Sequence, residues 1–87
     1  MNIHLTRGLL GNKVECIAEG VATYDNMMHI IHSWKEKHKD KFSVAPYLQL
    51  TFDDDKIGVD FGDYSYFLTI DEFSKNELAD ITESLKH

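Results

Sequence analysis

The stretch Ile57-Gly58-Val59-Asp60-Phe61-Gly62-Asp63-Tyr64-Ser65-Tyr66-Phe67-Leu68-Thr69-Ile70 decides how the chain folds. Apolar residues fall at every second position on both sides of Gly62-Asp63, the period of a strand with one buried face. Gly62-Asp63 is a two-residue hairpin signal, with glycine supplying positive φ at the first turn position. The expected register pairs Phe61 with Tyr64, Val59 with Tyr66 and Ile57 with Leu68. The other face then places Asp60 opposite Ser65, and Gly58 opposite Phe67, whose ring would cover the glycine. A one-residue slip would bury Asp60, so one face is strongly specified.

Working outward, Leu48, Leu50 and Phe52 alternate with Tyr47, Gln49 and Thr51, which adds a third strand over 47–52 before the polar turn Asp53-Asp54-Asp55-Lys56. Upstream, Met27, Ile30, Ile31 and Trp34 recur at i, i+3, i+4 and i+7, which predicts an amphipathic helix over 25–41. Asp25 can cap its first turn and four lysines crowd its last turns. Pro46 forbids continuation. Residues 2–10 and 13–22 read as a hairpin around the Gly11-Asn12 turn signal, with Gly8 and Gly20 at bulges or strand ends. Downstream, Ser74-Lys75-Asn76-Glu77 matches a capping box, with Phe73 and Leu78 as the hydrophobic staple. Leu78, Ile81 and Leu85 form the buried stripe of the last helix. The order β-β-α-β-β-β-α predicts one α+β domain over residues 1–87, an antiparallel sheet with two helices packed on one face.

The chain has 87 residues, 43% of them hydrophobic, and a net charge of −6. That is enough apolar content for a core and too few residues for separate cofactor and substrate domains. The acidic balance argues against direct nucleic-acid binding. One cysteine, Cys16, excludes an internal disulfide and predicts a buried inert thiol in a strand. The first residues lack a signal-peptide pattern, and no run reaches the length of a membrane span. A cytoplasmic location is the expectation.

Charge is divided unevenly about Pro46. Residues 1–45 carry six basic and five acidic groups, a balance of +1; residues 46–87 carry three and ten, a balance of −7. Asp53, Asp54, Asp55, Asp60, Asp63, Asp71 and Glu72 come from turns and from the sheet face opposite the apolar one. Lined along one edge, they would present negative charge somewhat as a phosphate backbone does. Tyr47 and Phe67 are the aromatics expected to stay partly exposed and to serve as anchors. A solvated acidic surface that keeps a small protein soluble accounts for the same charges without a partner.

Catalytic and metal motifs are weak. His29, His32 and Glu36 share the outer side of the first helix, a spacing that can ligate a transition metal and is also common on solvated helices. Asp53–Gly58 departs from a calcium loop at Ile57 and Tyr64. No serine lies in a nucleophile elbow and no glycine-rich phosphate loop is present. The expectation is a non-enzymatic protein with no cofactor and no metal. The order α-β-β-β-α from Asp25 resembles that of double-stranded-RNA-binding domains. That family carries lysines at the start of its last helix, whereas this chain reads Asp71-Glu72-Phe73-Ser74-Lys75-Asn76-Glu77, so the resemblance stops at topology. The sequence therefore points to an inhibitor-like module whose anionic face occupies the basic nucleic-acid-binding surface of a larger protein, as small phage-type anti-defence inhibitors do. The alternative is an assembly subunit, a homodimer through an open sheet edge.

Overall fold

The computed structural model describes residues 1–42, 47–53, 55–63 and 65–85. Strands β1 (Asn2–Arg7), β2 (Asn12–Ala18), β3 (Gln49–Asp53), β4 (Lys56–Asp60) and β5 (Phe67–Asp71) form one antiparallel sheet in the order β2-β1-β5-β4-β3. Helix α1 spans Tyr24–Lys37 and is followed by a single 3-10 turn, Lys39–Lys41; helix α2 spans Lys75–Leu85. The chain is an α+β domain, as its alternation and helical stripes require.

Register explains the core. Ile3, Ile70, Ile57 and Phe52 stand side by side across β1, β5, β4 and β3, and Leu5, Leu68, Val59 and Leu50 form the next row. Met27, Ile31 and Trp34 of α1 and Ile81 of α2 close over these rows, and all four are buried. At the end of α1, Trp34 stacks on Phe61 (centroids 5.4 Å apart) and on His38 (4.2 Å), while Phe42 meets Phe61 and Tyr66. This aromatic group pins the end of α1 to the β4–β5 loop.

Several expectations are corrected. The α1 cap is Thr23, whose hydroxyl accepts from Asn26 N–H at 3.1 Å; Asp25 lies inside the first turn and contributes charge there. The helix ends at Lys37, where the chain tightens into the 3-10 turn. Pro46, read as the barrier to continuation, lies outside the described residues. The capping box holds: Glu77 N–H donates to Ser74 Oγ at 3.1 Å, and the Ser74 N–H and hydroxyl donate back to the Glu77 carboxylate. The same carboxylate also accepts from the Met1 ammonium, 2.9 Å away, and that ammonium is the main cause of its lowered pKa.

The β4–β5 pairing is displaced by two residues. Val59 faces Leu68 and Ile57 faces Ile70, so the faces are kept while Phe61–Tyr66 becomes a wide loop. The cause is local hydrogen bonding. Gly62 N–H donates to Asp60 Oδ1 at 2.7 Å and Ser65 N–H donates to Asp63 Oδ1 at 2.8 Å. Two aspartate-closed turns thus replace a tight hairpin. Tyr64, expected opposite Phe61, lies outside the described residues.

Gly58 stands opposite Thr69, and its cover is not Phe67. Leu9 and Leu10 of the β1–β2 loop fold over it: a Cβ at Gly58 would lie 2.7 Å from Leu9 Cδ1. The loop runs through positive φ at Gly8 (82°) and Leu10 (57°), and so begins earlier than the Gly11-Asn12 signal indicates; Asn12 already belongs to β2. Beneath the loop Thr6 and Thr69 are buried, their hydroxyls 3.1 Å apart. The helix-free face therefore carries a small buried patch of its own.

Candidate functional site

The β4–β5 loop helps to build an open concavity. Tyr47, Asp60, Gly62, Asp63 and Phe67 line an open cavity of about 160 Å³. β4 delivers Asp60 on the helix-free face, opposite Phe67 of β5. The aspartate-closed turn then swings Gly62 and Asp63 round the rim. Tyr47 arrives just before β3, with its N–H donating to Phe61 O at 3.2 Å. Its ring lies against Gly62, in the space that a side chain there would fill. Tyr47 is 52% exposed and Asp63 is 6% exposed. The cavity is thus lined by two aromatic residues and two aspartates, one of them buried.

This composition suits a cationic side chain. A guanidinium or ammonium group gains from carboxylates nearby and from aromatic faces, and both effects strengthen when water is partly excluded. Four residues singled out from the sequence (Tyr47, Asp60, Asp63 and Phe67) are brought together here. Gly62 is the member that sequence reasoning treated only as a turn residue. Its role in admitting the Tyr47 ring depends on a contact fifteen positions away along the chain, which no local pattern reveals.

The remaining acidic positions lie elsewhere. Asp53 and Asp55 flank the β3–β4 turn at the opposite end of β4, about 17 Å away for a five-residue strand. Asp54 lies outside the described residues. Asp71 is only 7% exposed: its Oδ2 is 2.6 Å from Lys13 Nζ, and its Oδ1 is 3.6 Å from His4 Nε2. The hydrogen bond from Lys13 to Asp71 raises the lysine pKa above its usual value. Glu72, at φ 58°, accepts from Asn2 Nδ2 at 2.8 Å. The carboxylates thus fall into two groups at opposite ends of the sheet, and Asp71 is turned inward to a cation.

Cys16 is exposed, which corrects the expectation of a buried thiol: β2 is an edge strand of the sheet and most of its residues are exposed. Local desolvation and the Glu19 carboxylate raise its pKa, so the thiolate is disfavoured. His29, His32 and Glu36 are on the exposed side of α1, and Glu36 is 2.7 Å from Lys39 Nζ. Among the described residues, no three of His, Cys, Asp and Glu come together as a metal-ligand set. Among the same residues, no helix is long and apolar enough to cross a membrane. Compared with known protein families, curated proteins and solved structures, the chain matches none.

Proposed function

We propose that the protein is a non-enzymatic acidic binding module that docks on a basic surface of a larger protein and seats a lysine or arginine of that surface in the Tyr47–Asp60–Asp63–Phe67 cavity. The observation that carries this reading is the meeting of two aromatic rings and two carboxylates in one open concavity. Asp53 and Asp55, one strand length away, supply a second point of negative charge. A partner that holds phosphates with lysine and arginine offers cations at several points. The module would exclude nucleic acid from such a partner by occupying the same groups, an inhibitor-like action of steric and electrostatic competition. Exposed rim charges act mainly on association rate, each worth about 0–1 kcal/mol, while the cavity supplies the anchor.

The test is a backbone NMR titration of the protein with an arginine-rich peptide, in low and in high salt. The expected result is shift changes concentrated at Tyr47, Asp60–Asp63 and Phe67. Asp60→Asn keeps an acceptor for Gly62 N–H while removing the charge, and should weaken binding. Uniform small shifts over all acidic residues, unchanged by Asp60→Asn, would leave only a diffuse acidic surface and end the reading.

A further inference from the structure

The sheet has two outer edges, and they differ. At one edge, β2 pairs with β1 through two register shifts that leave Val14 and Ile17 as extra residues. Such bulges twist a strand and spoil it as a template for another chain. At the other edge, β3 pairs with β4 without interruption from Gln49↔Asp60 to Asp53↔Lys56. Among the described residues no strand lies on its outer side. Phe52 projects toward the core face yet remains 50% exposed and stands outside the core cluster.

From this contrast we infer that β3 is a self-association edge, and that its occupant is β3 of a second copy, antiparallel about a two-fold axis at Thr51. The sequence Gln49-Leu50-Thr51-Phe52-Asp53 is self-complementary in that arrangement. Leu50 meets Phe52 of the second copy twice, both on the core face, so each exposed ring gains an apolar neighbour. Thr51 meets Thr51 on the axis, a favourable cross-strand pair. Gln49 stands opposite Asp53, so no like charges face each other. The two sheets join into one continuous sheet with a closed, isologous contact. Five residues a side make a small interface, so the dimer forms in the micromolar to millimolar range. This inference is independent of the cation-binding cavity.

Sedimentation equilibrium over micromolar to millimolar concentrations provides the first test, on the full chain and on two edge variants. Phe52→Lys should weaken dimerisation by about tenfold or more, through two symmetric Leu50–Phe52 pairs. Val14→Lys at the bulged edge should change nothing. The second test fixes register in a Cys16→Ser background. Opposed residues of an antiparallel pair have Cα atoms about 4.5–5.5 Å apart, within disulfide reach. Thr51→Cys should therefore oxidise to a covalent dimer, and Gln49→Cys, which faces Asp53, should not. Monomer at millimolar concentration, a dimer indifferent to Phe52→Lys, or equal cross-linking from both cysteine variants would overturn the inference. Should Phe52→Lys fail to fold, the cross-linking comparison decides alone.

Discussion

Gly62→Ala isolates the contact that shapes the cavity. Gly62 has φ 81°, and an alanine Cβ there would strike the Tyr47 ring. The left-handed backbone costs an L-residue about 1–2 kcal/mol, and the lower unfolded-state entropy of alanine returns about 0.4–1 kcal/mol. The backbone contribution is thus about 1 kcal/mol. The ring contribution comes from burial: Tyr47 is 52% exposed, so about half of its ring surface leaves water on folding. That half is roughly 100 Å², worth about 2.5 kcal/mol at about 25 cal/mol per Å² if it is lost entirely, and less if the ring only shifts. Gly62→Ala should destabilise by about 2–3 kcal/mol. For a domain of this size that lowers Tm by roughly 10–20 °C without unfolding it at 25 °C. Urea titration of the single variants and of the double variant with Tyr47→Ala checks the cause. In the Tyr47→Ala background the cost should fall to about 1 kcal/mol, a coupling of about 1–2 kcal/mol. Additivity within about 0.5 kcal/mol would refute the claim that Gly62 is glycine in order to admit the ring.

Three further outcomes follow from other contacts. Thr23→Ala should cost about 1 kcal/mol through the lost cap, and Asp25→Ala only a few tenths (~0.3–0.5) through the helix dipole; equal losses in thermal melts would restore Asp25 as the cap. Ile81→Ala, at a site 1% exposed, should cost about 2–5 kcal/mol by urea titration and leave α2 poorly docked, whereas a loss below about 1 kcal/mol would mean that α2 contributes little to the core. Lys13→Met should destabilise more than Asp71→Asn at neutral pH, because it strands a carboxylate that is 7% exposed, while a released Lys13 can turn to water. The sign of its pH dependence is fixed by the raised pKa of Lys13. The pair's contribution is fully present below the usual lysine value and is lost as pH rises through the raised one. Melts of the parent and of Lys13→Met should therefore converge at strongly alkaline pH; a constant gap would show that Lys13 acts through its aliphatic stem alone.

Much of the fold could be read from periodicity, and its limits are instructive. The alternation around Val59 and Leu68 identified which side chains face the helices, and the two-residue displacement of the β4–β5 register preserved that choice because the side-chain period is two. What the pattern lacked was the competition between a tight hairpin and the carboxylates of Asp60 and Asp63. Each aspartate captures a backbone N–H two residues ahead, and together they open the loop. The same competition explains why the site was only partly visible. Tyr47 and Phe67 were readable as exposed aromatics, and Asp60 and Asp63 as acidic loop groups. Their convergence depends on the widened loop and on Gly62.

Charge was the less faithful guide, for a physical reason. A balance counts carboxylates without regard to direction, and direction is set by what each one meets on folding. Asp71 ends β5 beside the β1–β2 hairpin, so it meets His4 and Lys13 and turns into the sheet. Glu72 follows in a left-handed turn and accepts from Asn2. Both are consumed in fastening β1 and β2 to β5, the junction that joins the N-terminal hairpin to the three-stranded meander. Asp60 and Asp63 each accept a backbone N–H of their own loop and line an open cavity together with Tyr47 and Phe67. Similar residues drawn from one acidic half thus divide into a structural fastening and a candidate recognition site, and the division follows from hydrogen-bond donors within reach rather than from net charge.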